Sequence, residues 1–280
     1  EASDCRLRLE LAPLEGGTGR PAALVVRQGS EKDRELGLPT RLFVESASQG
    51  PALELVLIKP GEFEAGVTTA DLYAGELSPR RVRIEHPFYL AATETTNEQY
   101  AEFAKSVGSE NAGTRWKELW DAQDGGERLP VVGVSAKQAE AFCTWLGGRL
   151  PTEEEWEYAA RGGDGGSLAR PWGRDSLDPG RVNLFFGESA GPLPVDSLPD
   201  GSTSSGLRHT LGNVAEWTSD AYRGGFAEEG SSPEYTGKNA IRGCSFMKSA
   251  DAEARLTWRA PEGPEGAPDV GFRVLFHADD

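Results

Sequence analysis

Apolar and polar positions alternate strictly through Arg6-Leu7-Arg8-Leu9-Glu10-Leu11, the period of a half-buried strand. Two short apolar runs follow, Ala23 to Val26 and Arg41 to Val44. The intervening Gly16-Gly17-Thr18-Gly19 and the charged run Glu31 to Glu35 read as loops. Residues 1–50 therefore predict a short N-terminal β-extension. It either packs on a main domain or forms a minimal sheet of its own. The boundary falls in the small, polar stretch from Ser46 to Pro51, and residues 51–280 form the main domain.

The period then changes to that of helices. Thr96 and Gln99 have capping-box spacing, with Tyr100, Phe103, Ala104 and Val107 on one face. Ser135 and Gln138 repeat the spacing, followed by Ala139, Phe142, Cys143 and Leu146, with Gly147-Gly148 as the stop. Thr152 caps a third helix whose first turn carries Glu153, Glu154 and Glu155, where the helix dipole favours negative charge. Trp156, Ala159 and Ala160 face inward there, and Arg149 is placed to pair within the same helix start. Beyond Gly163 helical periodicity stops, and aromatic clusters alternate with Gly/Pro/Ser loops. With 35 Gly and 18 Pro in 280 residues, the chain reads as a loop-rich fold of short strands and few helices.

Charge narrows the classes of partner. The net charge of −16 argues against nucleic acid and anionic membrane, since phosphate binding needs a basic surface. No apolar run reaches the ~18 residues of a membrane span, so no direct membrane insertion is expected. Solubility accounts for the acidity, with a specific cationic partner as the alternative. The chain starts at Glu1 and has one methionine, Met247. Removal of a signal peptide would account for this, as would other trimming. We expect an exported protein, periplasmic or extracellular. Arg exceeds Lys and Ile is scarce, as in a GC-rich bacterial coding sequence. The three cysteines, Cys5, Cys143 and Cys244, show no CxxC spacing, and His86, His209 and His277 show no HxxH or HxxxH spacing. A zinc or three-histidine iron site lacks the ligands.

The motifs that carry a resemblance run from Gly61 to Phe276. They are Gly61-Glu62-Phe63, Glu94-Thr95-Thr96-Asn97-Glu98-Gln99-Tyr100, Trp145 to Gly162 with its Arg149-Leu150-Pro151-Thr152-Glu153-Glu154-Glu155-Trp156 core, Gly212-Asn213-Val214-Ala215-Glu216-Trp217, Arg242-Gly243-Cys244-Ser245-Phe246, and Gly271-Phe272-Arg273. In order and spacing they resemble the formylglycine-generating enzyme (sulfatase-modifying factor) family. The resemblance implies an α+β fold, irregular, loop-rich and related to C-type lectins.

It also implies a copper oxidase in which two cysteines hold the metal, because soft thiolates select monovalent copper. On this chain the cysteine positions fall near Lys248 and Glu253, neither a thiol. No copper is expected. Cys244 stands where the family has its second glycine. What remains is a vestigial pocket of Ser245, Lys248, Glu253, Arg255 and Trp258. There a Lys248/Glu253 pair is either a space-filling ion pair or an acid–base pair. The family's calcium loop is matched by Gly212, Val214 and Glu216, with His209 where Asn or Asp is usual. Asn183-Leu184 matches the start of a second site, whose following loop offers only Glu188. One calcium is left open and a second is not expected. The iron-binding helical bundle of other superfamily members, with its HxxxHxE set, is absent.

Two functions follow. One is a non-catalytic domain acting as a binding or structural subunit of an exported protein assembly. Its partners would be other protein subunits or a glycan or protein ligand. They would bind at the loops Asp164 to Asp178 or Asp220 to Lys238, or at the Pro261 to Pro268 turn. The other is a divergent oxidative tailoring enzyme without the copper-binding cysteine pair.

Overall fold

A computed structural model describes residues 7–9, 24–46, 52–66, 77–123, 126–163, 170–173, 176–187, 191–224, 233–248 and 254–278. Cys5, Glu188 and Glu253 lie outside the described residues, as do parts of the loops 164–178 and 220–238.

The N-terminal strands β1 (Leu7–Leu9), β2 (Leu24–Gln28) and β3 (Arg41–Ser46) form an antiparallel meander. β3 pairs with β4 (Leu53–Ile58) from Arg41↔Val56 to Val44↔Leu53. The extension thus continues the main sheet instead of forming its own. β4 pairs with β7 (Phe88–Ala91), and β7 with the distant β12 (Leu275–His277). The sheet order is β1-β2-β3-β4-β7-β12. β7 lies in the interior of this sheet, and all four of its side chains are buried.

β5 (Gly61–Ala65) and β6 (Arg80–Ile84) form a separate ribbon with the alternation of a half-buried pair. Phe63, Ala65, Val82 and Ile84 point in, and the Glu and Arg between them point out. The third sheet has the order β10-β9-β8-β11, from β8 (Ala215–Ala221), β9 (Asn239–Arg242), β10 (Arg259–Glu262) and β11 (Val270–Gly271).

The three anticipated helices form with their capping boxes intact: α1 (Asn97–Val107) from Thr96, α4 (Ala136–Trp145) from Ser135, and α5 (Glu153–Ala160) from Thr152. Two short helices not anticipated, α2 (Ser109–Ala112) and α3 (Arg115–Asp121), follow α1. Tyr100, Phe103, Trp116, Phe142 and Phe272 pack ring against ring at 5.1–6.3 Å where α1, α3 and α4 meet β11. Cys143 lies fully buried in the same cluster, and burial holds its thiol well above the usual range. Arg149 pairs with Glu155 at 2.6 and 2.7 Å, tying the entry of α5.

Candidate functional site

β9 ends at Arg242, and the chain turns through Gly243 (φ 89°) and Cys244 (φ 67°). The second angle lies in the left-handed region that glycine enters freely and other residues enter at a cost of ~1 kcal/mol, which explains a glycine preference at Cys244. His209 (φ 51°) and Asn213 (φ 63°) share that conformation on the facing loop. Gly212 N donates to Gly243 O at 2.8 Å and Phe246 N to Asn213 O at 2.8 Å, so the two loops brace each other. Gly212 (φ 77°) has no room for a side chain, because a Cβ there would lie 2.5 Å from Asn183 O.

The pocket residues named from sequence come together in part. Ser245 is fully buried, and its hydroxyl donates to Asp269 Oδ2 at 2.6 Å. A turn closes with Lys248 N donating to Ser245 O at 2.9 Å. The Lys248 ammonium lies 5.9 Å from the centre of the buried Trp258 ring, a cation–π distance. Arg255 is half-buried just before it. Glu253, the expected partner of Lys248, lies outside the described residues. The nearby acid missed from sequence is Glu262. Burial pushes its carboxyl above the usual range, Asp269 adds to the shift, and Lys238 and Lys248 oppose it. Lys248 lies near the position where the resemblance implies a first thiol, Cys244 lies buried behind the turn, and a donor set without two thiolates does not fit monovalent copper.

The second group centres on Glu216, also fully buried. Arg273 grips it in a fork, Nε to Oε2 and Nη2 to Oε1, both at 2.6 Å, and Trp156 Nε1 donates to Oε2 at 2.8 Å. Arg273 also donates to Ala91 O at 3.1 Å and Arg208 O at 2.9 Å. Calcium takes six to eight oxygens. Both Glu216 oxygens are taken by Arg273 and Trp156, and His209 offers nitrogen. Asn183 donates through Nδ2 to Gly191 O and Asn213 Oδ1, and its backbone oxygen accepts from Asn213 N. Val214 and Leu184 are buried apolar neighbours. With Arg273 in place, Glu216 therefore offers calcium no free carboxylate oxygen. Among the described residues no three His, Cys, Asp or Glu side chains gather as a metal site.

Sequence reasoning missed two members of this group, Glu94 and Arg273, although both lie in the motifs quoted above. Glu94 is fully buried. It accepts from Asn213 Nδ2 at 2.9 Å through Oε1 and leaves Oε2 without a partner. Burial pushes its pKa from 4.5 up to about 8; Arg273 opposes that shift and Glu216 adds to it. His209 is buried with Nε2 unpartnered, and burial with the Arg273 charge lowers its pKa from 6.5 to about 4.

Glu94 and His209 shape stability against pH in opposite ways. As pH rises from 4.5 to about 8, Glu94 ionises in the unfolded chain but not in the folded one, which removes on the order of 4–5 kcal/mol. As pH falls from 6.5 to about 4, His209 takes a proton only when unfolded, which removes on the order of 3 kcal/mol. The two slopes cancel between 4.5 and 6.5. Urea midpoints should be level across that window and fall above it, and Glu94→Gln should flatten the fall. Parallel curves for the two proteins above pH 6.5 would refute the assignment.

Behind the turn, Arg242 and Arg259 converge on α5. Arg259 holds Glu153 through two contacts of 2.7 Å, and Arg242 reaches Glu153 at 3.3 Å and Glu157 at 2.7 Å. Arg161 also holds Glu157, at 2.7 and 3.0 Å. Arg242 lies 5.5 Å from the Trp156 ring centre.

The profile of the sulfatase-modifying factor enzyme 1-like domain matches residues 40–278. The inactive C-alpha-formylglycine-generating enzyme 2 of Bos taurus is 31% identical over 82% of this chain and 90% of its own length. The formylglycine-generating enzyme of Bos taurus is 31% identical over 92% of this chain and 83% of its own. The inactive enzyme 2 of Mus musculus is 39% identical, over 54% of this chain and 50% of its own length. Among solved structures, Treponema denticola variable protein 1 superposes with a TM-score of 0.62 at 20% identity, covering 81% of this chain and 96% of that one. PvdO from Pseudomonas aeruginosa gives 0.61 at 22%, covering 81% and 95%. These two share the fold. The matched span and the bovine relatives together place this chain in the sulfatase-modifying factor enzyme 1-like, or formylglycine-generating enzyme, family.

Proposed function

We propose that the chain is a binding module on a formylglycine-generating-enzyme frame, a non-catalytic subunit of an exported assembly. The C-type-lectin relation implied by its motifs belongs to the same reading. One observation carries it. Among the described residues, the large exposed apolar side chains are Leu36, Phe185, Phe186 and Met247. Three of these lie on two segments joined by Phe185 N donating to Lys248 O at 2.9 Å. Phe185 and Phe186 are each 42% exposed and Met247 54%. Exposed apolar side chains gathered in one place mark interaction sites, and this place adjoins the lysine that stands in a thiol's position. A protein partner, or a glycan stacking on the rings, suits such a surface.

Photo-cross-linkers at positions 186, 247 and 36 test this in an extract of the producing cells. One species captured from 186 and 247, and lost in Met247→Asp with melting unchanged, is the expected result. Capture no stronger than from position 36 would sink it. A divergent oxidative enzyme remains the competing reading, favoured by the Ser245–Asp269 bond and the raised Glu262 at the same place. Stoichiometric copper in the reduced protein would sink the binding-module reading and point to an unforeseen site at Cys244.

A further inference from the structure

α1 and α3 enclose an open groove of about 640 Å³, within the size range of ligand sites. It uses none of the residues of the surface at Phe185 and Met247. Its floor is Ala101, Ala104, Trp116 and Trp120, with the two indoles stacked at 5.7 Å and 23°. Trp116 Nε1 is already spent on Gly113 O at 3.1 Å. Trp116 is itself buried, and the Lys117 ammonium lies 5.2 Å from the centre of the Trp120 ring, so the floor is apolar with one cation already at its edge.

The walls carry Glu98 and Glu102 on α1 and Glu118 and Asp121 on α3. Like charges at these helical spacings repel. Two lysines answer them in part. Lys105 pairs with Glu102 at 2.6 Å, and Lys117 pairs with Asp121. Glu98 and Glu118 have no ion-pair partner among the described residues. The groove is thus apolar below and negative at both walls, on a chain whose net charge is −16. That combination disfavours a second copy of this chain, an anionic membrane or nucleic acid.

We propose that this groove binds a peptide segment of a partner protein in which basic side chains flank apolar ones. The apolar side chains lie on Ala104 and the stacked indoles, and the cations meet Glu98 and Glu118 and relieve the like-charge repulsion. Glu98 and Glu118 are exposed, so the attraction is modest and salt weakens it.

Calorimetry with the full chain tests the groove, using acetyl-Leu-Arg-Leu-Arg-Leu-amide against its Glu counterpart. The basic peptide should bind saturably with a Kd on the order of 100 μM. The acidic one should not bind. Glu98→Gln with Glu118→Gln should weaken binding roughly tenfold, a loss of ~1.4 kcal/mol. Ala104→Gln, which narrows the floor and leaves every charge in place, should weaken it as well. Melting temperatures near that of the parent confirm that both variants fold. Absence of saturable binding, equal affinity for the acidic peptide, or unchanged affinity in either variant would overturn the proposal. Binding lost in the double Gln variant but kept in Ala104→Gln would show diffuse surface attraction, which also overturns it.

Discussion

Arg273→Met is expected to cost about 3–5 kcal/mol of folding stability, read from urea denaturation near pH 6. Both partners of the Arg273–Glu216 fork are shut off from solvent. Removing the guanidinium leaves a carboxylate inside the protein with only Trp156 Nε1 as a donor, and strands the carbonyls of Ala91 and Arg208. Most of the loss is the uncompensated charge rather than the net worth of the pair. Adding Glu216→Gln to Arg273→Met should therefore recover part of it, with a coupling of ~2 kcal/mol. Strictly additive losses would show that the fork is not the coupled unit its geometry describes.

The second large effect is expected at Glu153. Two carboxylates, Glu153 and Glu157, share three buried guanidinium groups, those of Arg161, Arg242 and Arg259. Glu153→Ala leaves Arg259 without its fork and Arg242 with Glu157 alone. A loss of about 3–5 kcal/mol should follow. Glu153→Gln keeps the shape and should lose less. Because Arg242 anchors the turn that leads into Ser245 and Lys248, amide exchange at residues 243–248 should quicken in Glu153→Ala ahead of global unfolding. Exchange that quickens only with global unfolding would mean that the network holds the whole core and not this turn.

The helices were legible because their information is local. Thr96 with Gln99, Ser135 with Gln138 and Thr152 with Glu155 each declare a cap within four residues, and each forms. Arg149 was legible for the same reason, six positions from Glu155. α2 and α3 were not, since four and seven residues span too few turns to show a period. The site divides the same way. Ser245 lies in the motif Arg242 to Phe246 and Lys248 two residues past it, and Trp258 was placed by the resemblance, whereas Asp269 meets Ser245 only through tertiary packing. Glu216 stood as a candidate calcium ligand because the family resemblance implied it. The guanidinium that claims it comes from 57 positions further along, and no local pattern announces such a partner. The exposure of Phe185 and Phe186 was not legible, since the sequence does not say which aromatics the fold leaves outside.

The place of β12 has a consequence for how the protein is made. Arg273, just before β12, reaches back to the carbonyl of Ala91 on β7, 182 positions earlier. At ~5–20 residues per second, translation separates the two by roughly ten to forty seconds. Throughout that interval β7 has β4 on one side and nothing of its own sheet on the other. Glu216, made later, waits roughly three to eleven seconds for the guanidinium 57 positions further on. The nascent chain thus passes through a long stage with an open sheet edge and an unclosed core, a state prone to pairing with other chains. Cover for Phe88–Ala91 is needed until Leu275–His277 emerges, and the folded chain supplies it from that strand.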